Sequence, residues 1–149
     1  MLTGLTFGTR ISETLALTFG AVTGRYLHIS SVKGSGHVSF EIPDRYRRNV
    51  DVLRAFYQDT GKVIAQDTPL FLSQGVNQAI TRQQASEVIT AACQCLGIDG
   101  KVNSHSARKT FVTRIYALTG KDIAETKKYS RHKSLANLDY SIGTTQDLS

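Results

Sequence analysis

Histidine, arginine and lysine stand close together at the predicted start of a helix. His105 and Arg108 lie three residues apart in the stretch HSARKT, and Lys109 follows directly. With Ser104 as a cap, His105 falls in the first helical turn and Arg108 one turn later on the same side. Backbone N–H groups and the positive end of the helix dipole favour an anion there. The spacing fits either a phosphate site or an exposed basic helix end.

The last predicted helix, residues 134–142, carries a tyrosine away from its apolar side. At about 100° per residue, Tyr140 points nearly opposite to the apolar stripe. The tyrosine therefore either packs against another element or presents a functional hydroxyl group. A second basic pair, Arg131 and His132, stands just upstream. The stripe itself is formed by Leu135, Leu138 and Ile142.

Two further cations lie nearer the amino terminus. Arg10 in GTRISETLAL opens a predicted helix, where its ordinary role is an ion pair with Glu13, worth about 0.2–0.5 kcal/mol. Lys33 lies in the Gly-rich turn of a predicted hairpin, where a lysine is normally solvated. Each feature has an ordinary structural explanation when it is considered alone.

Taken together, these side chains have the chemistry that phosphoryl transfer to a tyrosine requires. Arginines bind the nonbridging phosphate oxygens and stabilise the charge that grows on them. Histidines donate hydrogen bonds or shuttle protons, and a lysine can protonate the leaving oxygen. The tyrosine hydroxyl is the nucleophile.

The hydrophobic patterns predict an α+β fold, mostly α, with one small antiparallel β-hairpin. The predicted strands cover residues 25–32 and 37–43, and Lys33 lies near the tip between them. A helix over about residues 81–97 is expected to open with a Thr81 capping box and to bury Val88, Ile89, Ala92 and Leu96. Further helices are predicted over about residues 9–19, 45–58 (capped by Asp44), 104–119 (capped by Asn103 or Ser104), 122–130 and 134–142.

Length and composition favour a single globular domain over residues 1–149. Hydrophobic residues make up 40% and charged residues 20%, and neither a membrane-spanning run nor a signal peptide is evident. Cys93 and Cys95 lie in an apolar helical pattern, which favours reduced core thiols over a metal or redox site and predicts a cytoplasmic protein. The net charge of +6 suggests a polyanionic partner, with nucleic acid first, although charge alone is weak evidence.

The order of these residues resembles the catalytic domain of tyrosine recombinases, the phage-integrase family. The resemblance runs from about Gly4 to Tyr140 and includes the PLF stretch at residues 69–71. It rests on TFGTRISETLAL, then Lys33 in a hairpin, then HSARKTFVTRIYALTGKDI, then RHKSLANLDY. No single motif decides it, but all six candidate positions occur in the family's order.

The resemblance implies a catalytic role for each candidate residue. Arg10 and Arg108 would clamp the scissile phosphate, and His105 and His132 would complete the phosphate site and assist proton transfer. The fold implied is the helical recombinase catalytic domain.

The remaining roles concern the leaving group and the nucleophile. Lys33 would be the general acid for the 5′ oxygen, and Tyr140 would form a 3′-phosphotyrosyl link to DNA that a 5′ hydroxyl later resolves. The link retains the bond energy, so the resemblance implies no metal or other cofactor. It implies double-stranded DNA as a partner, with other protomers assembling on that DNA and a monomer in free solution.

The chain departs from the family pattern at several positions. Arg131 stands where the family usually has glycine, Lys109 stands where histidine is frequent, and the interval from His132 to Tyr140 is one residue short. The chain also starts almost at the first arginine motif, and nine residues follow Tyr140, which suggests an amino-terminally truncated catalytic domain. Three other functions remain open: a non-catalytic DNA-binding remnant, a type IB topoisomerase-like enzyme and a basic protein-interaction module.

Overall fold

Six α-helices and one two-stranded antiparallel sheet make up the residues that the structure, a computed structural model, describes: 1–30, 37–75, 77–98 and 102–131. The predicted mostly helical α+β class is confirmed. In chain order the elements are α1 (Leu2–Phe7), α2 (Ile11–Leu15), a 3₁₀ turn (Gly20–Val22), β1 (Tyr26–Ser30), β2 (His37–Glu41), α3 (Asp44–Asp59), α4 (Arg82–Cys95), α5 (Ser104–Leu118) and α6 (Ile123–Ser130). Lys33, His132, Tyr140 and the predicted helix 134–142 lie outside the described residues.

The predicted hairpin is confirmed, with Leu27 opposite Phe40 and Ile29 opposite Val38. Leu27 and Ile29 are buried, as the alternation of apolar and polar residues in β1 predicts. Because successive side chains in a strand point to opposite faces, His28 and its partner Ser39 lie on the outer face, where the Ser39 hydroxyl lies 2.6 Å from His28 Nδ1.

The main core forms where α1, α3 and the hairpin meet. The Phe7 ring packs edge-on against Tyr46 at 4.9 Å and also contacts Phe40. Phe40 also packs edge-on against Phe111 on α5, and this contact joins the main core to the smaller apolar cluster around α5. Helices α1 and α5 pack closely, because Gly4 leaves room for Ala107. This packing places the end of α1 beside the middle of α5.

Several helix boundaries agree with the local sequence signals. Thr81 and Gln84 form the predicted capping box, with each side chain accepting the other's backbone N–H. The Asn103 side chain caps α5 by accepting the His105 N–H at 2.9 Å. The predicted cap at Asp44 is wrong, because Pro43 has the extended N-cap conformation and Asp44 is the first helical residue.

The single helix predicted over residues 9–19 is wrong. Gly8 ends α1 in the left-handed conformation, and α2 covers only Ile11–Leu15. Beyond it, the chain hydrogen-bonds to a distant segment: Leu70 N–H donates to Leu17 O, and Phe19 N–H donates to Thr68 O. Backbone pairing with residues 66–70 satisfies the groups that further helix would have used, so tertiary contacts decide the boundary.

The buried side of α4 also differs from the prediction. Ala85 and Cys93 are buried, whereas Val88 and Leu96 are 62% and 75% exposed. Cys95 is exposed as well, so the prediction of core thiols holds for Cys93 alone. The apolar residues of α4 extend around more than one side, so the sequence pattern did not identify the side that faces the domain.

No helix in the described part of the chain is long and apolar enough to cross a lipid bilayer.

Tyr57 supplies a test of the fold that does not touch the candidate site. Its buried hydroxyl donates to Leu70 O at 3.1 Å and accepts the Leu72 N–H at 3.0 Å. We expect Tyr57→Phe to lower the free energy of unfolding by about 1–3 kcal/mol, because it leaves two buried backbone groups without a partner. Urea denaturation measures this loss. Tyr26→Phe is the matched control on an exposed ring and should change stability by less than about 0.5 kcal/mol.

Candidate active site

The candidate site lies where the turn between α1 and α2 meets the end of α6. Gly8, with φ of 65°, closes α1 by donating its N–H to Gly4 O at 2.9 Å. Its own carbonyl then points toward α5 and α6. At the other side, α6 ends at Arg131, whose left-handed backbone has φ of 60° and donates its N–H to Lys127 O. Both turns present backbone carbonyls to the arginines of the site.

Arg108 joins these two turns from the buried side of α5. One terminal nitrogen donates to Gly8 O, and the other donates to Ser130 O at 2.6 Å. The residue is 7% exposed. A planar guanidinium suits this role, because its N–H donors form a fixed fork that reaches two acceptors at once. Arg108 thus fixes the end of α1 relative to the end of α6.

Arg10 approaches the same place from the start of α2. Its backbone N–H donates to Glu13 Oε1 at 2.7 Å, and its Nη2 donates to Arg131 O at 3.2 Å. The predicted ion pair with Glu13 is present, with Arg10 Nη1 lying 3.9 Å from Oε1. The carbonyls that Arg10 and Arg108 contact belong to consecutive residues, so the two arginines converge at the end of α6.

Arg131 is a third arginine of the site, which the sequence shows as one member of a basic pair with His132 and as a departure from a glycine. Its side chain is 1% exposed and forms an ion pair with Glu13 Oε2. It also donates to Gly8 O at 3.1 Å, the same carbonyl that Arg108 contacts. A left-handed backbone is costly for a residue with a Cβ. The basic pair and the arginine at a glycine position were the available signals of this role.

The electrostatics of the cluster favour an anion. Burial, and then the neighbouring charges of Arg10 and Arg131, lower the pKa of Arg108 to about 10, while Glu13 acts in the opposite direction. Arg108 is still a cation at neutral pH. Among the described residues, the cluster contains three guanidinium groups and one carboxylate, which leaves an excess of positive charge. A phosphate group would relieve the repulsion between the arginines.

The other predicted site residues are less closely tied to this cluster. His105 lies in the first turn of α5 but is exposed, in contrast to buried Arg108. Lys109 is half-buried. The roles predicted for His105, Lys33, His132 and Tyr140 stay predictions. Within the described ranges, no group of three or more histidine, cysteine or acidic side chains is placed to hold a metal ion.

Comparison with known families gives a match over nearly the whole chain. The model of the phage integrase family covers residues 2–140. The chain belongs to the phage integrase family. The match includes both arginines that converge in the structure and extends through Tyr140. A comparison with curated proteins gave no match.

Solved structures of the same fold include several recombinases and integrases. XerA recombinase has a TM-score of 0.73 at 19% identity, over 95% of this chain and 51% of its own. XerH recombinase bound to its difH substrate has a TM-score of 0.71 at 18% identity, over 93% and 40%. The Tn1549 transposon integrase in complex with transposon right-end DNA has a TM-score of 0.63 at 17% identity, over 94% and 52%. The chain therefore spans about half the length of these proteins or less, and the likeness establishes the fold.

Gly8 provides a test of how this integrase-family site is held together. A Cβ on Gly8 would overlap the Phe111 ring, and the φ of 65° disfavours any other residue. We expect Gly8→Ala to lower the free energy of unfolding by about 2–5 kcal/mol, through overpacking and backbone strain together. Chemical denaturation measures the change.

Gly61→Ala is the matched control for this substitution. Gly61 has φ of 86°, but a Cβ there would meet nothing within 4 Å. Only backbone strain remains, so the expected loss is about 1–2 kcal/mol. Equal losses for the two variants would show that close packing on Phe111 does not hold the Gly8 carbonyl in place.

Proposed function

We propose that this chain is the catalytic part of a site-specific DNA recombinase or integrase that cuts and rejoins strands through a 3′-phosphotyrosyl intermediate. The observation that carries the proposal is the convergence of Arg10 and Arg108 on consecutive carbonyls directly before His132. These arginines are far apart in the sequence, and the resemblance to tyrosine recombinases implies that both bind one phosphate.

In the proposed cleavage step, the scissile phosphate lies against the arginine cluster. The Arg10 side chain is 37% exposed, which makes it accessible to a nonbridging oxygen. Arg108 has more N–H donors than the two that its backbone hydrogen bonds use. Both cations stabilise the charge that develops on the nonbridging oxygens in the transition state.

The covalent chemistry falls to Tyr140 and Lys33, which lie outside the described ranges, with the help of a histidine. The Tyr140 hydroxyl oxygen attacks phosphorus and loses its proton to a histidine, His105 or His132. The bond from phosphorus to the 5′ oxygen breaks, and Lys33 gives that oxygen a proton. In rejoining, a 5′ hydroxyl attacks the phosphotyrosyl link and restores the tyrosine. No cofactor takes part in this scheme.

Double-stranded DNA is the proposed partner. The net charge of +6 favours a polyanion, and both XerH and the Tn1549 integrase are similar folds solved with DNA. We propose that the chain is a monomer in free solution and meets other protomers on DNA. The proposed location is the cytoplasm, in association with DNA.

A DNA strand with a nick close to the cleavage position tests the activity directly. Cleavage of such a suicide substrate releases a short fragment and traps the protein on DNA, so a denaturing gel shows a shifted band. DNA binding without any adduct would indicate a non-catalytic remnant. Relaxation of supercoils without strand exchange would indicate a topoisomerase-like enzyme. Absence of any DNA binding would favour a protein-interaction module.

Replacing Tyr140 with phenylalanine tests the nucleophile. We expect Tyr140→Phe to abolish the covalent adduct, because the attacking oxygen is gone, and to leave DNA binding nearly unchanged. Tyr129→Phe is a matched control, since Tyr129 is 42% exposed on α6 and has no proposed catalytic role. An adduct formed by Tyr140→Phe would assign the nucleophile to another residue.

Substitution of two adjacent cations on α5, Arg108 and Lys109, tests whether the buried Arg108 contacts the phosphate. Arg108→Ala should slow single-turnover cleavage by the equivalent of about 2–4 kcal/mol, by analogy with loss of one oxyanion donor. Lys109→Ala should have a much smaller effect, because Lys109 is turned about 100° away on the helix. Arg108→Lys keeps the charge but loses the fork, and thermal unfolding of each variant separates folding from chemistry. Equal cleavage rates for the Arg108 and Lys109 variants would contradict the assignment.

A further inference from the structure

The Glu13 carboxylate is the one negative group in the described arginine cluster, and its two oxygens contact different partners. Oε2 pairs with the buried Arg131 guanidinium. Oε1 accepts the backbone N–H of Arg10 at 2.7 Å. The Arg10 guanidinium lies farther away, with Nη1 at 3.9 Å from Oε1, which is beyond hydrogen-bond distance.

Among the described residues, the Arg10 guanidinium therefore has no negative partner within hydrogen-bond distance, and its ion pair with Glu13 is a long one, at 3.9 Å. Its guanidinium donates to the carbonyl of Arg131, a neutral acceptor, and keeps the exposure that an incoming ligand requires. Arg131 therefore acts on Arg10 in two ways. Its carbonyl orients the guanidinium, and its side chain holds the carboxylate with which Arg10 would otherwise form a closer pair.

We propose that Arg131 is a positioning residue: by pairing with Glu13, it keeps the Arg10 guanidinium available to a phosphate group. The inference rests on the proposed function for the identity of that phosphate, but the charge arrangement can be tested without DNA cleavage. Burial strengthens the argument, because the side chains of Arg131 and Glu13 are 1% and 9% exposed. A buried carboxylate needs a cation as its partner. After Arg131, the nearest candidate among the described residues is Arg10, which lies at the start of α2, the helix that carries Glu13.

Removal of the Arg131 side chain should change how Glu13 and Arg10 interact. Without its side chain, the buried Glu13 carboxylate gains by drawing in Arg10, and a phosphate must then compete with an internal carboxylate. The loss of phosphate affinity caused by removing Arg131 should therefore depend on the charge of Glu13. If Arg131 acted only by packing, or by touching the phosphate itself, removal of the Glu13 charge would change phosphate affinity by the same factor with and without Arg131.

The experiment measures inorganic phosphate affinity from the rise in melting temperature of the full chain with phosphate concentration, at constant ionic strength. Arg131→Met should bind phosphate about tenfold more weakly than the unaltered chain. Adding Glu13→Gln to Arg131→Met should restore most of that affinity. Glu13→Gln alone should change affinity far less, because Arg131 already holds the carboxylate.

Two further variants control for charge and for folding. Lys128→Met removes a positive charge from the same helix, where Lys128 forms an exposed pair with Glu125, and should leave phosphate affinity within about twofold. If Arg131→Met does not fold, Arg131→Lys replaces it, since a lysine holds Glu13 with a single point charge. Phosphate affinity should then be intermediate and should rise when Glu13→Gln is added.

Cleavage of a nicked DNA duplex by the same variants gives a second, independent result. The proposal for Arg131 is overturned if the unaltered chain does not bind phosphate, if Arg131→Met binds it equally well, or if Glu13→Gln fails to restore binding. If phosphate binding follows the expected pattern but the unaltered chain forms no adduct, the role of Arg131 stands and the proposed recombinase activity fails. An adduct without the phosphate pattern gives the opposite conclusion.

Discussion

The Gly8 carbonyl accepts hydrogen bonds from two buried arginines, and the candidate site depends on where that carbonyl points. It can point there because Gly8 takes a left-handed turn at the end of α1 and packs without a Cβ against Phe111. Arg108 and Arg131 in turn connect the carbonyl to the end of α6. One backbone oxygen thus links the beginning of the described chain to its end.

Burying several guanidinium groups together is costly unless they have acceptors. In the part of the chain that the structure describes, the acceptors are mainly backbone carbonyls, those of Gly8, Ser130 and Arg131, and one is a carboxylate. Neutral acceptors orient the arginines without cancelling their charge, and the lowered pKa of Arg108 reflects the burial and repulsion that remain. Such a cluster is stabilised further by an anion, which connects the stability of the fold to its proposed chemistry.

Membership of the phage integrase family makes Arg131 the most informative departure in this chain. The left-handed end of α6 suits glycine, yet an arginine adopts it and buries its side chain against Glu13. The backbone geometry expected of the glycine is therefore present together with a side chain that glycine cannot supply. The added cation changes which partner Glu13 binds, and so changes the surroundings of Arg10.

Much of the fold follows from local signals in the sequence. The hairpin pattern, the Thr81 capping box and the Asn103 cap act within a few residues, so the elements that they define agree with the sequence analysis. The six candidate site residues were predicted from residue types and spacing, and the significance of their order from the resemblance to tyrosine recombinases. The end of α2 and the buried side of α4 depend on segments distant in the chain. No local pattern encodes these contacts.

The candidate site divides in the same way between local and distant information. The sequence by itself determined that Arg10 and Arg108 are candidates for binding a phosphate, whereas the tertiary structure decided that they meet at the end of α6. It also decided that Arg131 completes the cluster, because burial of its charge against Glu13 exists only after α2 and α6 have packed together.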